Sequence, residues 1–252
     1  MRQIPTKMKP KAGFSHFLHI AFTSILPILL LILVRLRFYQ LSIGITLIIL
    51  SKWRMFAVKP RHWPANIRAN AVDIIVGLSA LIFMIHSNSG VLQLFWAVAY
   101  GAWLLVLKPQ SSDLGVPLQA MAAQAVGLIA LFIAWGSAPL LTLVICVWLI
   151  SYVSARHFFA SFEEPYVRFL SSTWAYLSAA LTWLLSHWLL FYGPVAQPAL
   201  LLSVIAFGLG GMYYLEKSDR SSIVLRRQIV FVLFAVTLIV LTFSDWGDKA
   251  IK

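Results

Sequence analysis

Apolar residues gather into nine runs along the chain, at about residues 17–34, 38–50, 71–86, 91–107, 118–135, 139–154, 169–191, 197–215 and 223–243. Short stretches of turn-forming residues separate most of them, among them Ser87-Asn88-Ser89-Gly90, Gly136-Ser137-Ala138-Pro139 and Gly193-Pro194. A membrane-spanning helix needs roughly 20 apolar residues. The pattern therefore predicts an all-α fold, a polytopic bundle of about nine transmembrane helices forming one integral membrane domain over residues 1–252, with no room for a soluble domain between spans. The second run is only 13 residues long, so it is either a short crossing or a segment that enters and returns. The first run follows a basic tail (Arg2, Lys7, Lys9, Lys11), contains Pro27 and ends at Arg35 instead of at a small-residue cleavage site. These features predict a retained signal anchor.

Charge adds direction to this topology. Net charge is +12, and sixteen of the twenty Lys and Arg residues fall on one side when nine crossings are counted. Only Arg35, Arg37, Lys249 and Lys252 fall on the other. The positive-inside rule then puts the N-terminal tail in the cytoplasm and the C-terminus outside, in an inner or plasma membrane. If the second run does not cross, the tail flips outward while everything after residue 51 keeps its orientation. The same rule accounts for basicity that in a soluble chain would raise nucleic acid as a partner, so none is expected. Composition agrees: 61% of residues are hydrophobic, 11% are charged, and mean hydropathy is +0.86. A single cysteine, Cys146, excludes an intrachain disulfide and reads as a packing residue.

Small residues mark where helices in lipid approach closely. Ala120, Ala123, Gly127, Ala130 and Ala134 form a stripe on the fifth run. Ser171, Ala175, Ser178, Ala179, Thr182 and Ser186 do so on the seventh, and Ala206, Gly208, Gly210 and Gly211 on the eighth. These three helices are the predicted central bundle, packed through small side chains or lining a cavity with the Ser and Thr hydroxyls.

Ionisable groups inside a span are functional candidates by default, and Asp73 is the only acid in any predicted span. It stands three residues after Asn70, a spacing that predicts a capping box opening the third helix; its alternative role is an ion or proton site. The stretch from residue 51 to 70 is predicted as a basic interfacial loop. Its Lys52, Trp53, Arg54, Lys59, Arg61, Trp63 and Arg68 interleave cations with aromatics, as expected for contact with anionic lipid headgroups. His86 suits the C-terminal end of the third helix. No metal-binding spacing, phosphate-binding glycine loop or cofactor motif occurs, so no metal and no cofactor are predicted. Asp245 and Asp248 in the tail supply too few hard ligands to hold a cation.

The sharpest local motif is Glu163-Glu164-Pro165-Tyr166-Val167-Arg168, followed by Trp183-Leu184-Leu185-Ser186-His187 and then by the glycines at 208, 210 and 211. This order, over about residues 155–230, resembles the CAAX-protease and bacteriocin-processing family of intramembrane proteases, whose pattern is E-E-x-x-x-R, F-x-x-x-H, a Gly-rich span and H-x-x-x-N. The resemblance implies an endopeptidase in which Glu163 and Glu164 form the acid pair, with Arg168 beside them and His187 as the first histidine, activating a water against a peptide bond. Trp183 stands in place of the Phe, and no His follows residue 187. The geometry carries a test. If residues 164–187 form one helix, Glu164 and His187 lie roughly 35 Å apart, and only a break near Ser171-Ser172-Thr173 brings them to one water. Read from the residues alone, Glu163 and Glu164 instead cap the seventh helix, with Pro165 in its first turn and Arg168 snorkelling to the surface.

Three functional readings follow. The first is a non-enzymatic scaffold or accessory subunit whose partners are membrane lipids and other membrane proteins. The second is the protease-like protein or an inactive relative. The third is a carrier of a lipid or small solute through the bundle of the fifth, seventh and eighth helices.

Overall fold

A computed structural model describes residues 14–37, 40–109, 112, 114–187, 191–192 and 195–244. The basic residues of the N-terminal tail, the Arg54 side chain, and Asp245, Asp248, Lys249 and Lys252 lie outside the described residues. Among those described, nine α-helices follow one another: α1 (Phe14–Leu36), α2 (Gln40–Leu50), α3 (Trp63–His86), α4 (Gly90–Ala102), α5 (Gly115–Trp135), α6 (Leu140–Ala160), α7 (Val167–Ser186), α8 (Gln197–Lys217) and α9 (Ile223–Phe243). Two short strands, β1 (Phe191–Tyr192) and β2 (Val195–Ala196), pair antiparallel between α7 and α8. Each predicted apolar run holds one helix.

Six of the helical stretches are long and apolar enough to cross a membrane: Pro60–His86, Gly90–Leu107, Gly115–Trp135, Leu140–Ala160, Gln197–Lys217 and Ile223–Phe243. This is the architecture of an integral membrane protein. The described apolar stretch of α1, Ser24–Leu36, and α2 are shorter. α7 has the length but not the apolarity, because serines and threonines occupy one of its faces.

α5 is the hub. Its small stripe is buried, and Gly127 lies so close between two neighbours that a β-carbon there would meet Ile75 of α3 at 2.6 Å and Ile150 of α6 at 3.2 Å. Only glycine permits that approach. α5 thus packs on α3, α6 and α8. The predicted trio of α5, α7 and α8 is corrected here, since α7 packs chiefly on α6. Its hydroxyls are also turned inward on their own helix: Ser171, Ser178, Thr182 and Ser186 donate to the carbonyls of Val167, Trp174, Ser178 and Thr182. Such back-bonding satisfies a hydroxyl in lipid without any partner helix, so this row packs and lines no cavity. One apolar core joins Leu30, Ile48, Leu81, Met84 and Tyr100 across α1 to α4; a second joins Leu128, Leu143, Val147 and Leu202 across α5, α6 and α8. α9 packs on α8, anchored by Gln197, whose side-chain amide donates to Ser244 at 3.0 Å, and is otherwise exposed.

Candidate functional site

α3 begins at Trp63, eight residues before the predicted start, with Pro64 in its first turn. The end of the predicted basic loop is therefore helical, and the rest forms two 3-10 turns, Trp53–Met55 and Pro60–His62. Asn70 caps nothing. Its side chain donates to the Asn66 carbonyl one turn back, and Asp73 lies ten residues inside the helix.

There Asp73 is the centre of a buried ionic cluster. Lys52 Nζ lies 3.2 Å and Lys108 Nζ 2.7 Å from Oδ2, while Trp103 Nε1 donates to Oδ1 at 3.2 Å. Lys52 was expected at the headgroup surface and is instead only 8% exposed. The short second helix explains this. Eleven residues of α2 rise about 16 Å, and the thirteen residues from Asp73 to His86 rise about 20 Å, so α2 ends near the depth of Asp73 and delivers Lys52 beside it. From the other side, the chain after α4 makes a π turn, Trp103–Leu107, in which the Lys108 amide bonds the Trp103 carbonyl at 2.8 Å. The extra residue in that turn lets both the indole and Lys108 reach one carboxylate. Burial pushes the Lys52 ammonium down to about 8, against the pull of Asp73. Burial also acts on the more exposed Lys108, but the hydrogen bond and charge of Asp73 outweigh it and raise that group.

The other headgroup candidates fare differently. Trp53, Lys59, Arg61, Trp63 and Arg68 are exposed. Arg61 Nε donates to His62 Nε2 at 2.8 Å and Trp63 Nε1 to the Val58 carbonyl at 3.0 Å.

Glu164 and His187 are not brought together. α7 is unbroken from Val167 to Ser186, and its twenty residues hold the two about 30 Å apart, so they share no water. Glu164 does not cap α7 either. It accepts from Tyr213 Oη and pairs with Lys217, both on α8, and these bonds hold its carboxyl below the usual range. Glu163 occupies a left-handed turn at φ 53° on the surface, Arg168 is exposed, and His187 follows the end of α7 with Nδ1 2.8 Å from the Trp183 carbonyl.

Between α5, α6, α7 and α8 lies a cavity of about 420 Å³, walled mainly by apolar side chains such as Met121, Phe158, Phe159 and Leu209. Its size falls in the roughly 300–1,000 Å³ range of ligand pockets. Glycine at 210 shapes it: a β-carbon there would meet Met121 Sδ at 2.7 Å. Two buried polar groups belong to its wall, Gln124 at 3% exposure and Ser154 at 1%. Gln124 Oε1 accepts from Trp174 Nε1 at 3.0 Å, which fixes the amide. Its Nε2 and the Ser154 hydroxyl have no protein partner among the described residues. Glu216 and Arg226, 3.4 Å apart, sit at the rim.

Sequence reasoning missed these groups because neither residue is ionisable and neither stands in a recognisable motif. Comparison with protein-family models, with curated proteins and with solved structures finds no match.

Proposed function

We propose that this chain is a nine-crossing protein of an inner or plasma membrane that binds, and as a carrier passes on, an amphiphile with an apolar body and a hydrogen-bond-accepting group. The observation that carries this reading is the pair of unpartnered polar groups on the wall of an otherwise apolar cavity. A buried donor without an acceptor costs about 1–3 kcal/mol, and a bound carbonyl, ester or hydroxyl offsets that cost while the acyl or prenyl body fills the remaining volume. The Glu216–Arg226 pair at the rim suits a polar end that stays near the headgroups. Lys52 and Lys108 meet at Asp73, and Lys217 and Arg226 pair with Glu164 and Glu216 around the end of α8, while Arg35 at the end of α1 donates to the Gly90 carbonyl. That clustering supports a cytoplasmic N-terminus and an outer C-terminus, a topology that reporter fusions at Ser87, Gly136 and the C-terminus test directly.

The decisive experiment is extraction of the full chain into nanodiscs and mass spectrometry of co-purified lipids. Wild type is expected to retain one amphiphile class that Gln124→Leu loses; equal retention by both overturns the reading. A scaffold role has one observation in its favour. α9 presents Phe231, Phe234 and Phe243 outward, each at least two-thirds exposed, a face for lipid or for another membrane protein.

A further inference from the structure

A second, smaller cavity of about 170 Å³ lies between the N-terminal half of α3 and the C-terminal half of α6, lined by Arg68, Ala69, Tyr152, Val153, Arg156, His157 and Ala160. Arginines from two different helices line it and no carboxylate does. Neither arginine forms an ion pair among the described residues. The acid within electrostatic range of His157 is Asp73, and both of its oxygens are already engaged. Like charges lining one recess repel, with Arg68 at its exposed edge and Arg156 half-buried, and an anion between them relieves that repulsion.

The side chains are also held for such a role. Arg156 Nη1 donates to Tyr152 Oη at 2.7 Å, its guanidinium lies 5.8 Å from the Tyr152 ring centroid, and that ring stacks on Trp148 at 5.2 Å. Arg68 uses Nε on the Pro64 carbonyl at 2.9 Å, which leaves its Nη groups for the pocket. His157 Nε2 is buried with no partner among the described residues and, when it carries the proton, donates to an anion. The N-terminal half of α3 adds the favourable end of a helix dipole; the opposing half-charge of the α6 terminus is outweighed by Arg156.

We propose that this pocket binds a phosphate group, gripped by the forks of Arg68 and Arg156 with His157 as third donor. Planar, many-donor guanidinium groups suit tetrahedral phosphate oxygens, which accept bidentate pairs. The recess, about 170 Å³, has room for one phosphate group. Its source is the headgroup of an anionic phospholipid or free phosphate, and the pocket works independently of the large cavity.

The test uses the full chain in nanodiscs of equal parts phosphatidylglycerol and phosphatidylcholine, with retained lipid read by native mass spectrometry. Wild type is expected to hold phosphatidylglycerol about tenfold over phosphatidylcholine, and the double variant Arg68→Gln, Arg156→Gln to lose that preference. Arg220→Gln, an exposed charge at the same end, should keep it. In pure phosphatidylcholine discs, saturable heat on titration with inorganic phosphate, absent in the double variant, identifies free phosphate as the source. Should the double variant not fold, Arg156→Lys retains the charge without the fork and should show an intermediate preference. Wild type with neither lipid preference nor phosphate heat overturns the proposal, as does a preference that survives the double variant or falls equally with Arg220→Gln.

Discussion

Two buried polar centres share this bundle and are built on opposite terms. Around Asp73, both carboxylate oxygens are engaged by three donors from α2, the π turn and the stretch after it. Around Gln124 and Ser154, polar atoms equally deep are left without a protein partner. A saturated centre in a low-dielectric interior fixes structure, because removing one member strands the others. An unsaturated one stays available to something that arrives. The difference separates an architectural node from a binding wall, although by residue type alone Asp73 looked the more functional of the two.

The contrast breaks most visibly at Asp73. Asp73→Asn leaves the buried Lys52 ammonium and the partly exposed Lys108 facing a neutral amide, and the expected loss is about 3 kcal/mol, seen as a large drop in thermal unfolding temperature in detergent. An unchanged unfolding temperature would show that the cluster does not hold the fold. In the cavity a far smaller change is expected: Gln124→Leu removes an unsatisfied donor but takes the acceptor from Trp174 Nε1, so stability shifts by no more than about 1 kcal/mol while amphiphile retention falls.

pH sharpens the comparison further. Lys52 titrates at about 8 in the folded chain against an ordinary value of 10.5, so between these values the unfolded chain binds more protons and stability rises with pH. Melting curves should move upward from pH 8 to pH 10 in wild type and lose this rise in Lys52→Met. The smallest effect belongs to the exposed end of α8. The Glu164 carboxyl is held low by Lys217 and Tyr213, so its contribution is present above the ordinary Glu range and lost as pH falls through its folded value. Lys217→Met should diminish that acid dependence with little change in stability at neutral pH, as for other exposed pairs.

Helix number and order were legible because lipid demands long apolar runs, and nine such runs can be counted directly. Which helices touch was only half legible. The stripes on α5 and α7 both mark real interfaces, but the partner of α7 is α6 and not α5, and its hydroxyls bond to their own backbone, choices invisible to spacing. Asp73 was picked out, but its partners lie 21, 30 and 35 residues away. They meet it through two length effects, a short α2 and a surplus residue in the π turn after α4, that hydropathy cannot register. The capping reading failed because Trp63 to Asn70 is polar enough to look like loop and yet continues α3 out of the apolar layer. Gln124 and Ser154 were silent, since uncharged polar residues in a span carry no signature until their neighbours are known.

The π turn at Trp103–Leu107 has an implication for how this chain tolerates changes in length. A π turn is an α-helix holding one surplus residue, so losing a single residue from this segment leaves a continuous helix behind and breaks nothing locally. Trp103 and Lys108 would then stand four residues apart instead of five, one α turn in place of one π turn, and still share a face toward Asp73. A one-residue loss inside α3, which holds no such surplus, would instead rotate one end of that helix by about 100° against the other.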